Sequence, residues 1–132
     1  METPSLAEVV RTSQVFVHQG RYAYLKVRQV GPGDHFLVAS DADEITMVTE
    51  ECNVSSTEYS ASTQWFVLIE VRVSMPFVAK GFLARVTGLM ADADLNVLVV
   101  STYSKDYIMV REEGRDTAIA VLRQAGFPVS EA

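Results

Sequence analysis

The stretch Trp65–Gly126 limits the fold more than any other part of this chain. Its apolar run Phe66–Val71 stops at Ser74-Met75-Pro76, and the residues that follow change period. Phe82, Leu83, Val86, Leu89, Met90 and Ala93 recur at helical spacing and share one face. Two short apolar runs, Val97–Val100 and Tyr107–Val110, then flank the polar turn Ser101–Asp106, which is the pattern of a hairpin. Helical spacing returns over Glu112–Ala125, with Ala118, Ile119, Leu122 and Ala125 on the inner face. Glu112 and Glu113 complement a helix N-terminus and Arg123 a last turn, while Gly126 and Pro128 stop the helix. The order strand, helix, strand, strand, helix has one economical packing. Both helices lie on one face of an antiparallel sheet, so the spacing predicts an α+β fold of ferredoxin-like βαββαβ plan.

Signals before Trp65 are shorter. Leu6, Val9, Val10 and Val15 read as a brief helical opening. Gly20 releases the chain into Tyr22–Val27, where Ala23, Leu25 and Val27 alternate with Tyr22, Tyr24 and Lys26 as in a strand. Gly31-Pro32-Gly33-Asp34 is a turn. Phe36–Ala39 and Ile45–Val48 read as strands about the turn 40–44, and the Ser/Thr-rich Asn53–Thr63 as a loop between halves. The two halves are alike. Leu37-Val38-Ala39-Ser40 leads through an acidic turn to Met47-Val48-Thr49-Glu50-Glu51. Leu98-Val99-Val100-Ser101 leads to Met109-Val110-Arg111-Glu112-Glu113, with a turn one residue longer. Tyr24–Val27 matches Phe66–Val71, and only Gln29–His35 stands where the first copy would need a helix. The expected organisation is a tandem repeat, with a reduced unit over residues 1–63 and a complete one over 64–132.

Composition narrows the function. A net charge of −6 without a basic patch argues against nucleic acid or an anionic membrane as partner. No apolar run approaches the roughly 20 residues of a membrane span. The single cysteine, Cys52, has no internal disulfide partner and reads as a half-buried thiol. The first residues lack the basic start and long apolar stretch of a signal peptide, so a cytoplasmic protein is expected. Catalytic patterns are lacking. His18 and His35 stand apart in polar surroundings and read as surface histidines. Neighbours in Glu50-Glu51-Cys52 point to opposite faces of a strand and do not converge on a metal. Asp41, Asp43 and Glu44 lack the spacing of a calcium loop and read as turn acids. Gly31-Pro32-Gly33 is followed by no helix bearing Lys-Ser/Thr, so it is not a phosphate loop. No catalytic activity, cofactor or metal is expected.

Two turns remain as a candidate site. The segment Ser74–Gly81, with Lys80, leads into the helix at Phe82, whose free backbone amides can receive a carboxylate. Gly81 has no side chain to obstruct that approach. Ser101, Thr102, Tyr103 and Asp106 supply hydroxyls, a ring and a carboxylate. Together these suit a zwitterionic amino acid. The alternative is that Ser101, Thr102 and Asp106 only satisfy the hairpin's own backbone.

These residues also carry a resemblance. Gly81-Phe82-Leu83-Ala84 through Leu89-Met90-Ala91-Asp92-Ala93, then Val97–Val100 and Ser101-Thr102-Tyr103-Ser104-Lys105-Asp106-Tyr107-Ile108-Met109-Val110, resemble the ACT-domain group related to the cytosolic arginine sensors of animal nutrient signalling. Leu6–Tyr24 and Glu44–Glu51 are similar to its small stand-alone members. The resemblance implies two tandem ACT-like units, no catalysis, and amino-acid binding at an interface between units. It implies that Asp106 faces a ligand's basic end, with Ser101, Thr102 and Tyr103 lining the pocket. Two features depart from the pattern: Lys105 beside Asp106, and Ala93-Asp94-Leu95 where relatives usually have Ala-Gly-Ile. The function expected is a non-enzymatic regulatory module, and the runner-up is a structural or protein-interaction domain without a ligand. A homodimer is expected, because an open antiparallel sheet leaves its edges exposed and a reduced unit leaves part of one face without helix cover.

Overall fold

Ser5 accepts a hydrogen bond from the Glu8 N–H (3.1 Å) and so caps a short helix, α1 (Leu6–Thr12). The computed structural model describes residues 5–75 and 80–132. After α1 come β1 (Gln14–Val17), β2 (Tyr22–Val27), β3 (Leu37–Ser40), β4 (Ile45–Glu50), β5 (Tyr59–Arg72), α2 (Phe82–Asp92), β6 (Val97–Ser101), β7 (Asp106–Arg111), α3 (Arg115–Gln124) and β8 (Val129–Glu131). The chain divides into two compact units, one of Met1–Gln19 with Val67–Ala132 and one of Gly20–Phe66. The sequence reading cut the chain once, at 63/64. The structure cuts it twice and returns the N-terminal residues to the C-terminal unit.

In that larger unit the strands run β6-β7-β5-β1-β8. Counting β5, β6, β7 and β8 as first to fourth, this is the ferredoxin-like order with β1 seated between first and fourth. β1 pairs antiparallel with β5, from Gln14↔Arg72 to Val17↔Ile69, and parallel with β8. Val15 therefore belongs to a strand, not to the helical opening. Val15 and Val17 are buried while Gln14 and Phe16 are exposed, a period of two that a single valine could not signal. The core lies on the helix-bearing face: Val67, Ile69 and Val71 of β5, Ile108 and Val110 of β7, Phe82, Val86 and Met90 of α2, and Ala118, Ile119 and Leu122 of α3. Each such large aliphatic side chain contributes about 1.5–3 kcal/mol on burial. Phe82 meets Phe127 edge to face at 5.9 Å.

α2 and α3 end alike. Asp94 N–H donates to Ala91 O (3.0 Å) and Leu95 N–H to Met90 O (2.9 Å). Gly126 N–H donates to Arg123 O and Phe127 N–H to Leu122 O, both at 3.1 Å. Both are closures around a left-handed residue, with φ 60° at Asp94 and 106° at Gly126. Asp94 thus takes up the left-handed turn that glycine would take most cheaply. Glu112–Gly114, expected as the first turn of α3, forms a separate 3-10 turn before it.

The smaller unit orders its strands β3-β4-β2-β5, using the first part of β5. This is again second, third, first, fourth, now without an α-helix. The expected tandem repeat with a reduced first unit is what the fold contains. Asn53–Thr63, expected as a loop, is in fact a 3-10 turn Glu51–Asn53, a short link and the start of β5. The exposed residues Tyr59–Thr63 carry no alternation, so nothing in their pattern marks a strand. Polar stitching does the work of the missing helices. His35 Nε2 donates to Gly31 O (2.8 Å), and its Nδ1 lies 2.9 Å from Thr49 Oγ1. Asn53 Nδ2 donates to Thr49 Oγ1 (2.9 Å) and to Asp34 O (3.0 Å). The network holds the loop after β2 over a small core of Ala23, Leu25, Val27 and Met47, with Val54 and Trp65 packed against it. His35 is therefore a structural clasp rather than a surface histidine. Cys52 is exposed rather than half-buried, because it sits in the 3-10 turn and not on a strand.

The repeat is clearer in the structure than in the sequence. Ser40 pairs with Ile45 and Ser101 with Asp106, so both turns have four residues, 41–44 and 102–105. Met47 thus corresponds to Ile108 and not to Met109. The 3-10 turns Glu51–Asn53 and Glu112–Gly114 keep the same spacing.

A Cβ on Gly31 would overlap the hydroxyl of the buried Thr57, which is itself bonded to Asn53 O. Gly31→Ala is expected to destabilise the chain by roughly 1–3 kcal/mol, the scale of overpacking. Adding Thr57→Ala should recover part of that loss in urea denaturation. Fully additive losses would show that the clash is not the cause.

Candidate functional site

Where β5 ends and β6 turns into β7, the surface of the larger unit dips into a hollow of about 220 Å³. Val73, Met75, Phe82 and Leu83 form its apolar wall, and residues 101–106 form its polar rim. The rim is set by the hairpin. Ser101 Oγ donates to Asp106 Oδ1 (2.7 Å), and Thr102 N–H donates to Lys105 O (2.9 Å). Asp106 is half-buried, and among the described residues its second carboxylate oxygen has no donor. Tyr103 stands 87% exposed at the rim.

Five of the eight expected site residues meet here: Phe82, Ser101, Thr102, Tyr103 and Asp106. Ser74 does not. Its N–H bonds Ser13 Oγ (3.0 Å) and its hydroxyl lies 2.8 Å from Thr12 Oγ1, so it anchors the end of α1. Lys80 and Gly81 do not line the hollow. Pro76–Ala79, between them and Ser74, lie outside the described residues. Gly81 caps α2 at φ 81°, and a Cβ there would meet nothing within 4 Å. The left-handed backbone by itself calls for glycine here, so a valine would strain the turn. Val73, Met75, Leu83, Ser104 and Lys105 were missed. The apolar residues Val73 and Met75 bracket Ser74 past the strand end, which could have marked a wall.

Among the described residues no group of three or more His, Cys, Asp or Glu side chains could hold a metal ion. None of their helices is long and apolar enough to cross a membrane.

Residues 61–124, just under half of the chain, match the ACT domain family. A protein of unknown function from Vibrio cholerae, described as a possible transport protein, has a similar structure. It superposes with a TM-score of 0.77 at 19% identity over 92% of this chain and 95% of its own. A protein from Agrobacterium tumefaciens gives 0.75 at 16% identity over 91% and 93%. The ligand-free regulatory subunit of aspartate kinase from Thermus thermophilus gives 0.63 at 8% identity over 88% and 98%. At these identities the likeness is one of fold, and the fold is ACT-like. No curated protein matches the sequence.

Lys105 links the hollow to a second polar cluster on the sheet face away from the helices. Glu70 of β5 is 4% exposed. Its Oε1 receives His18 Nε2 (2.9 Å) and, at 3.4 Å, the Tyr107 hydroxyl, while Oε2 receives Arg72 Nε. His18 is thus half-buried and partnered, not a plain surface histidine. Burial pushes the Glu70 carboxyl up, but Arg72, His18 and the Lys105 ammonium outweigh it and hold the carboxyl below its usual range. Burial and the Glu70 charge push the Tyr107 phenol up.

A carboxyl held low in the fold stabilises it at neutral pH. That contribution begins to fade near its ordinary value of 4.5 and is lost as pH drops through the lower folded value. Glu70→Gln is expected to cost roughly 1–3 kcal/mol at pH 7, the scale of a weakened buried charged hydrogen bond. Urea titrations from pH 7 to strongly acidic conditions should show this gap closing. A gap independent of pH would refute the assignment.

Proposed function

We propose that this chain is a non-enzymatic regulatory module that binds a free amino acid in the hollow of its larger unit. The observation that carries the reading is the half-buried Asp106 at the mouth of a hollow with an apolar wall, with one carboxylate oxygen held by Ser101 and the other without a donor among the described residues. An oriented carboxylate of this kind is complementary to an ammonium or another cationic group. Ser101, Thr102, Tyr103 and Phe82 line the approach. The ACT match over 61–124 and the fold shared with an aspartate kinase regulatory subunit support a regulatory role. The likeness of the 101–110 segment to the arginine-sensor group supports Asp106 as the cation-binding residue. Ser74, committed to α1, takes no part, and Lys80 and Gly81 shape the entry to α2.

A second reading has its own observation. Edge strands β3 and β6 carry exposed Val38 (44%) and Val99 (36%), which suits pairing with another copy. We propose a homodimer on that basis, whether or not a ligand binds.

Thermal denaturation with each of the twenty amino acids tests the first reading. A ligand at tenfold its dissociation constant should add about 1.4 kcal/mol of stability. Asp106→Asn should abolish that gain while leaving the apo protein nearly as stable, because the amide oxygen still accepts from Ser101. A flat panel, or a gain surviving in the variant, counts against Asp106 as the ligand group. Light scattering at tens of micromolar tests the dimer. A mass of 14.6 kDa would exclude it at that concentration.

A further inference from the structure

The two hairpins build one turn and cap it differently. Asp41 N–H donates to Glu44 O (3.0 Å) just as Thr102 N–H donates to Lys105 O (2.9 Å). In the first turn the Asp41 carboxylate then closes the loop. Its Oδ1 accepts from the backbone amides of Asp43 (2.8 Å) and Glu44 (2.9 Å), and these amides hold the carboxyl below its usual range. The strand registers place Thr102 at the position of Asp41, and Ser104 and Lys105 at those of Asp43 and Glu44. The Thr102 hydroxyl turns instead to the Lys105 carbonyl, at 3.5 Å. Among the described residues, the N–H groups of Ser104 and Lys105 have no acceptor. Both residues border the hollow beside Asp106.

We propose that the open turn amides of Ser104 and Lys105 are the seat of a ligand carboxylate, in the place that the Asp41 side chain fills in the first hairpin. Adjacent backbone amides in a turn form a concave anion site, and the chain's own first copy holds a carboxylate in one. The inference rests on the amino-acid reading above and fixes its geometry. One turn takes the whole head group, with the α-carboxylate on the two amides and the α-ammonium on Asp106. The ligand's side chain then enters the hollow, where among the described lining residues only Lys105 and Asp106 carry charge. The ligand class is an α-amino acid with an apolar side chain, and the start of α2 is not the carboxylate site.

The test is an amide-resolved NMR titration of the full chain with sodium propionate and with L-leucine. Both should shift the Ser104 and Lys105 amides saturably. L-leucine should bind at least about tenfold tighter than propionate or isopentylamine, each of which lacks one charged group. Thr102→Asp supplies the missing cap. It should weaken both ligands about tenfold or more and slow hydrogen exchange at the two amides. Asp41→Thr should do the reverse in the first hairpin, making the Asp43 and Glu44 amides respond to propionate. Propionate that leaves Ser104 and Lys105 unmoved, or moves them equally in Thr102→Asp, overturns the proposal even if amino acids bind elsewhere. Propionate shifts at these amides with no response to any of the twenty amino acids would support the carboxylate seat and remove the amino-acid reading. Tighter binding of L-arginine than of L-leucine would overturn the apolar ligand class.

Discussion

The larger unit depends on the register of its β6–β7 hairpin. Pairing Ser101 with Asp106 turns Ile108 and Val110 into the helix-covered core and leaves Tyr107 and Met109 on the opposite face. A slip of one residue would exchange these sets and bring Tyr107 and Met109 under the helices in place of Ile108 and Val110. The same pairing decides the chemistry. It brings the Ser101 hydroxyl to the Asp106 carboxylate, sets the turn amides at the rim of the hollow, and delivers Tyr107 to the buried Glu70. Packing and site geometry are therefore two results of one choice of register.

The reduced unit keeps the same register with different means. Where the larger unit covers its sheet with α2 and α3, the smaller one lays a glycine-containing loop over four apolar side chains and fastens it with His35, Thr49 and Asn53. A helix covers a sheet through area, and area costs residues. A loop of this length must use directional bonds, which weaken steeply when geometry slips. That explains the buried Thr49 at a position where the other copy has Val110.

Much of this was legible in the residues. The helical spacing from Phe82 to Ala93 and the apolar runs beside Ser101–Asp106 gave the larger unit, and the matching hairpins gave the repeat. Three features were not legible. The matching of Met47 with Met109 misplaced the repeat by one residue, because letter similarity does not respect which face a side chain occupies. Val15 looked helical because a four-residue strand offers only two inward positions. Tyr59–Thr63 looked like a loop because an exposed polar strand has no buried side to leave a period. At the hollow, side-chain types pointed to Asp106 and its neighbours as candidates. The backbone amides beside them left no trace in the letters, since every residue there has one. The bonds of Ser74 left no trace for a similar reason, as its partners Thr12 and Ser13 are near it only in three dimensions.

The seating of β1 between β5 and β8 makes the larger unit discontinuous in the chain. Residues 20–66 are contiguous, so they can gather as soon as they are synthesised. Their neighbours cannot. Gln14–Val17 must wait for Ile69–Arg72 on one side and for Val129–Glu131 on the other, and long closures of this kind slow folding. A fragment beginning at residue 64 would hold every helix and strand of the ACT plan yet lack the strand in its middle. It would present two unpaired backbone edges, the condition under which chains exchange strands with one another.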